Sequence, residues 1–280
     1  MSETIYEKIL ELLRSGREGV LATIVGVDGS APQKAGAKFL VSDDGETFGT
    51  IGGRHLERVV VKEAPSVLRD RRPKRLTFTL DGAGAETAGL ICGGDVEVYL
   101  EPVTREPRLI VVGVGHIGRP LVRMAKQAGF EVVALDEAAS DLTAETLPEA
   151  DRIVLAEDVS EFDRLTVDRS TFVVVVTSGH KRDEEYLASA LRTRAGYIGM
   201  IGSRAKRDHA FAKLREAGVT EDDLRRVHSP VGIDIGSVTP GEIAVSILAE
   251  MIAERRGKSP GPFASLSGAA SAAPREEPSR

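Results

Sequence analysis

The sequence predicts an α/β protein: a doubly wound parallel sheet in the C-terminal half, preceded by a mixed α+β domain. Three observations lead there. After residue 107, apolar strand-like runs alternate with amphipathic helical stretches, the order that builds a parallel sheet. Within that half, "FVVVV" at 172–176 is apolar at every position, as a strand covered by helices on both faces must be. Before residue 103, short strand-like runs are instead separated by Asp-Gly and glycine-rich turns, the mark of antiparallel hairpins.

Each element has its own signal. Ile5, Ile9, Leu12 and Leu13 make one apolar helix face, which Gly16 and Gly19 end. "GVLATIVGV" is read as a strand, "DGS" at 28–30 as a turn, and "AKFLVS" at 37–42 as the next strand. "DDG" at 43–45 turns again. "LERVVVKEAPSVLRD" reads as a helix in which Pro65 must start, kink or end something. "RLTFTLD" and "DVEVYLEP" are strands on either side of a glycine-rich loop. The next strands are "RLIVVGV", "FEVVALD", "DRIVLA", "STFVVVVTSG" and "AGYIGMIGS". "IGRPLVRMAKQAG", "KRDEEYLASALRTR" and "AKRDHAFAKLREAG" are the helices among them. Thr239 and Pro240 suit the N-cap and first turn of a last helix. The organisation expected is an α+β domain over 1–102, a linker at 103–107, a doubly wound domain over 108–257, and a disordered Ser/Ala/Gly/Pro-rich tail over 258–280.

Composition narrows the function. A net charge of −6 argues against a nucleic-acid partner, and the basic pieces "RDRRPKR" at 69–75 and "SRAKR" at 203–207 read as solvated surface. No run is long and apolar enough for a membrane span. With one cysteine, Cys92, no intrachain disulfide forms, which fits a cytoplasmic location.

"LIVVGVGHIGRP" at 109–120 carries a G-x-G-x-x-G that leaves a strand and opens a helix, and Asp136, 18 residues past Gly118, ends the next strand. That context is the Rossmann-like dinucleotide fingerprint. Gly113 serves the tight turn, Gly115 the close approach of backbone amides to a pyrophosphate, and Gly118 the packing of helix on sheet. Gly113, Gly115, His116, Ile117, Gly118 and Asp136 are therefore the cofactor-binding candidates. The acid favours NAD over a 2′-phosphorylated dinucleotide. His116 suits either a ligand contact or a helix cap. His180, Asp183 and Asp234 lie at strand ends or in a glycine-containing loop. His180 and Asp234 are the catalytic candidates for an NAD(P)-dependent oxidoreductase, although either acid also suits a helix cap. A nucleotide-binding adaptor without catalysis is a further reading.

In the first domain, adjacent glycines at 52–53 and 93–94 expose backbone amides of the kind that form anion nests. Ser30, Lys34 and Lys38 add donors. Cys92 beside Gly93 suits a soft ligand or sulfur acceptor, or a small core residue. The stretches "GSAPQKAGAKFLV", "IGG..LE", "ICGGDVEVYLEP", "VVGVGHIGRPL", "YIGMIGSRAKR" and "VGIDIGSVTPGEIAVSILAE" together closely resemble the xanthine dehydrogenase accessory factor family (XdhC/CoxI), over about residues 5 to 255. The resemblance implies a helper that binds the molybdenum cofactor, supports its sulfuration and inserts it into a molybdenum hydroxylase apo-enzyme. A homodimer and a cysteine desulfurase partner are implied too. It places the cofactor among Ser30, Lys38, Gly52, Gly53, Arg54, His55, Cys92, Gly93 and Gly94, with Cys92 as the metal or sulfido contact. The Rossmann half then binds a nucleotide or forms the other wall of the same cleft. Where the family commonly reads "IGGGCLE", this chain has Arg54 for a glycine and His55 for a cysteine. Imidazole is a harder ligand than thiolate. Arg54 suits either recognition of a phosphate or obstruction of the site.

Overall fold

The computed structural model describes residues 4–80, 94–137, 141–177 and 182–258. The expected tail beyond Lys258, Cys92, Gly93 and His180 lie outside the described residues, as does the side chain of Arg54.

The N-terminal lobe begins with α1 (Ile5–Arg14), started by a capping box in which Thr4 and Glu7 satisfy each other's backbone amides. Five strands follow: β1 (Gly19–Gly29), β2 (Lys38–Ser42), β3 (Thr47–Gly49), β4 (Lys74–Leu80) and β5 (Gly94–Val103). They pair antiparallel in the order β3-β2-β1-β5-β4. Between β3 and β4, α2 (Arg54–Asp70) packs on one face of the sheet. Val96, Val98 and Leu100 of β5 alternate inward toward Leu56, Val60 and Val67 of α2. Period-two burial of this kind is what one covered face demands.

One local expectation is corrected and a second is narrowed. Asp28 and Gly29 form no turn: they extend β1, opposite Asp95 and Gly94, and the chain reverses only over the following residues. The hairpin signal lost because β5 offers both residues ladder partners that a turn at 28–30 would forfeit. Of the three roles open to Pro65, starting and ending a helix are excluded, since α2 runs through it to Asp70. Burial of the flanking Ala64 and Val67 in the lobe's core offsets the lost backbone hydrogen bond.

Six parallel strands build the second lobe: β6 (Arg108–Val112), β7 (Glu131–Glu137), β8 (Arg152–Ala156), β9 (Thr171–Val175), β10 (Tyr197–Met200) and β11 (Val227–His228). Their order is β11-β10-β9-β6-β7-β8. Renumbered from β6, this is the 3-2-1-4-5-6 order of a Rossmann sheet, with its switch point between β6 and β9. Helices α3 (Gly118–Gln127) and α8 (Pro240–Arg255) cover one face. Helices α4 (Ser160–Asp163), α5 (Asp183–Leu191), α6 (Arg204–Glu216) and α7 (Glu221–Leu224) cover the other. Every residue of β9 is buried, which accounts for its uninterrupted apolar run. No helix among the described residues is long and apolar enough to cross a membrane.

The lobes meet at the linker. Arg105 donates to the carbonyls of Leu13 (2.5 Å) and Arg14 (3.1 Å) and pairs with the buried Asp168 at 3.2 Å. Asp168 in turn accepts from Ser170 and Thr171 in the turn that opens β9. One guanidinium thus ties the end of α1 to the amino edge of the parallel sheet.

At the far edge of that sheet, α8 is fastened by a polar set. Glu250 accepts the amide of Gly232 through one oxygen, and its other oxygen stands 2.6 Å from Nδ1 of His228. The imidazole also lies 4.5 Å, centroid to centroid, from the ring of buried Tyr197. The Glu250 hydrogen bond raises the His228 pKa above 6.5, against partial burial, which lowers it. A raised folded-state pKa means the stabilisation is complete below the unfolded value and is lost as pH climbs through the folded one. His228→Gln is therefore expected to lower the melting temperature most at about pH 6, and the deficit is expected to shrink by about pH 8.5. A deficit that grows with pH in thermal melts contradicts this account.

Candidate functional site

The carboxyl edge of the parallel sheet is shaped by three glycines with different duties. Gly113 has φ of +92°, and a Cβ there would fall 2.6 Å from the Thr177 backbone across the switch point. A Cβ at Gly118 would lie 2.2 Å from the Gly113 carbonyl, so helix and loop touch only because it is absent. Around Gly115 no described atom comes within 4 Å of that position; its backbone faces open space. His116 is exposed and Ile117 precedes the first turn of α3 without a capping side chain.

Asp136 does more than its spacing suggests. Its carboxylate accepts the amide of Val114 at 2.9 Å and that of Glu137 at 2.9 Å. It therefore buttresses the glycine loop while still lining two neighbouring hollows of about 410 and 480 Å³. Arg119, Glu137, Asp141, Arg182 and Tyr186 contribute to those walls, and every wall residue comes from the second lobe.

Asp183, the first residue of α5, is buried at this edge. It accepts the Thr177 hydroxyl, and the Lys206 ammonium stands 2.5 Å from its other oxygen, off the hydrogen-bonding axis. Sequence reasoning missed Thr177 and Lys206 as partners, although "VVVVTSG" and "SRAKR" contain them; nothing in their spacing says that two helices and a strand end converge. Asp234 sits in the exposed loop before α8, where it accepts the amide of Gly236 at 3.3 Å in a short turn.

Of the described first-lobe candidates, Ser30 and Gly94 lie at the end of the β1–β5 pair away from the linker. Gly94 pairs with Gly29, and a Cβ on it would lie 2.4 Å from the Asp28 carbonyl and 2.9 Å from the Ser30 amide. Gly52, at φ +106°, leaves 2.6 Å between its missing Cβ and Pro32. Gly53 is the N-cap of α2 and brings no side-chain acceptor to the first-turn amides. His55 and Ser30 are exposed, while Lys38 is engaged by Thr23 at 2.9 Å. The structure thus brings Ser30 to Gly94 and the Pro32 loop to Gly52. The hollows at the glycine loop are lined by second-lobe residues, while Cys92 and Gly93 lie outside the described residues. The space the lobes share lies beside the linker, at the amino edge of the parallel sheet.

An antiparallel lobe with a glycine-lined tip, joined by a short link to a 3-2-1-4-5-6 sheet, defines a two-lobe protein of the doubly wound α/β class. The chain matches the XdhC Rossmann domain over residues 109–251 and the XdhC and CoxI family over residues 12–79. It belongs to the XdhC and CoxI family. Protein YqeB of Escherichia coli K12, described as uncharacterized, is 34% identical over 89% of this chain; the chain spans only 46% of YqeB. A Bacillus subtilis 168 protein described as a probable xanthine dehydrogenase subunit is 26% identical, covering 88% of this chain and 96% of that protein. The molybdenum cofactor insertion chaperone PaoD of Escherichia coli K12 is 25% identical, covering 90% and 88%.

Proposed function

We propose that this protein is an accessory factor that holds the molybdenum cofactor and delivers it to a molybdenum hydroxylase. The observation that carries the reading is the full-length kinship to PaoD, a protein named for that insertion, across both lobes. The tip geometry supports it. At Gly52 and Gly94 the chain runs so close to its neighbours that a side chain has no room, and Gly53 leaves the first amides of α2 without a side-chain cap. Backbone amides so placed suit a pterin phosphate. Cys92, two residues before Gly94, would supply the thiolate for the metal or its sulfido ligand, and Arg54 and His55 would stand beside it in place of the usual glycine and cysteine. Sulfuration would draw on a cysteine desulfurase. The working form would be a cytoplasmic homodimer.

Anaerobic purification followed by molybdenum quantification tests this. About one molybdenum per chain is expected, and Cys92→Ala is expected to lower retention about tenfold, on the scale seen when metal-site groups are lost. A Cys92→Ala protein that keeps and transfers cofactor as the native chain does rules the thiol out.

A second reading is favoured by the open space over Gly115: a dinucleotide such as NAD at the mouth of the second lobe. Calorimetry with NAD and with ADP tests it. Steady turnover at 340 nm that depends on His180 or Asp234 would make the protein an oxidoreductase, and binding without turnover an adaptor.

A further inference from the structure

A further hollow lies away from both glycine clusters. It is a cleft of about 1070 Å³ between the lobes, floored by the linker and the amino edge of the parallel sheet. On a chain of net charge −6, eight arginines and only four carboxylates line it. Two of those carboxylates are already engaged: Glu18 by Arg71 at 2.8 Å, and Asp43 by Arg17 at 3.4 Å.

Some of the arginines have structural work. Arg105 clamps the lobes, and Arg226 donates to the carbonyls of Leu191 and Thr193. Arg169, Arg194, Arg255 and Arg256 have no carboxylate partner among the described residues. They come from three separate places: the turn before β9, the turn before β10 and the end of α8. Arg255 packs over the Phe130 ring at 5.5 Å, and its pKa is lowered by burial and then by the charges of Arg256 and Arg71. Arg169, Arg194 and Arg256 are exposed, so their charges are open to an anion from solvent.

Arg71 adds an independent sign. It ends α2 at φ +49°, the one non-glycine residue with positive φ among those described. A glycine there would relieve the backbone, yet an arginine is held in place by the buried Glu18 and lines the cleft. Strain of this sort, kept by its surroundings, clusters where a side chain is needed. The lining also has an apolar part: Val61, Pro65 and Leu68 of α2, with Phe172 of β9. Apolar walls with a few convergent cations suit a small molecule with a flat ring and a charged end.

We propose that this cleft is a second ligand site, for a phosphate-bearing heterocycle of the nucleoside triphosphate class, gripped by Arg71, Arg194, Arg255 and Arg256 against the apolar face of α2. It is separate from the tip and from the glycine mouth, and does not rest on the molybdenum reading. Guanidinium forks hold phosphate bidentately, and a ligand that binds the folded chain stabilises it by mass action. The segment "RDRRPKR", read from sequence as solvated surface, then supplies part of one wall.

The test is calorimetry and thermal melting of the full chain with ATP, adenosine and tripolyphosphate. ATP is expected to bind once per chain and raise the melting temperature, adenosine to have no effect, and tripolyphosphate to bind at least tenfold more weakly than ATP. Arg194→Glu/Arg256→Glu is expected to weaken ATP at least tenfold, with Arg194→Gln and Arg256→Gln moving in the same direction. Arg119→Glu, at the glycine mouth, is expected to leave it unchanged. Three outcomes overturn the proposal: no ATP binding, equal affinity for tripolyphosphate, or ATP binding that survives the cleft variants and falls with Arg119→Glu.

Discussion

Asp183→Ala is expected to destabilise the protein by about 3 kcal/mol, the lower end of the range for breaking a buried ion pair. The lower end applies because the Lys206 side chain keeps 19% of its exposure, against 2% for Asp183, so the orphaned ammonium can recruit some water. The loss also removes the hydrogen bond from the Thr177 hydroxyl to Asp183 at the switch point. In a chain of this size the melting temperature is expected to fall by about 6–12 °C. Lys206→Met in the Asp183→Ala background is expected to recover part of the loss, since no unpaired cation then remains. A double-mutant cycle by chemical denaturation reads the coupling directly. Strictly additive effects would show that the two side chains do not interact.

Gly113→Ala is expected to cost about 2–6 kcal/mol. The positive φ contributes about 1–3 kcal/mol for a residue with a Cβ, and forced contact with the Thr177 backbone adds a similar overpacking cost. Neither neighbour can yield, because β6 and β9 are central strands paired residue by residue from Arg108↔Thr171 to Val112↔Val175. Gly115→Ala is the informative contrast. It has space around it, so its stability change is expected to stay below about 1 kcal/mol. If a nucleotide uses the mouth, Gly115→Ala is expected to abolish its binding while the fold survives. Melts that show equal destabilisation at both positions would mean that the loop is not built as described.

Much of the fold was legible because period carries it. The alternating burial of β5 and the unbroken apolar run of β9 are direct consequences of one covered face and of two. The cap at Thr239 is a local hydrogen-bonding device, complete within four residues of chain. The site was less legible. Asp136 stands out by its spacing, yet its hold on the Val114 amide depends on where two strand ends meet. Lys206 reads as surface because a basic pentapeptide has no local reason to bury a head group.

What the sequence alone determined is the class of protein and the identity of its glycine motifs, since backbone freedom and hydrophobic period are properties of single residues and their near neighbours. Tertiary structure decided where those motifs stand relative to one another. It extended β1 through Asp28 and Gly29, because a third strand offered them hydrogen bonds no turn could match. It also drew arginines of both lobes into one cleft beside the linker. Charges far apart in sequence become a site only when the lobes are set against each other, and that arrangement rests on long-range contacts such as Arg105 to Asp168.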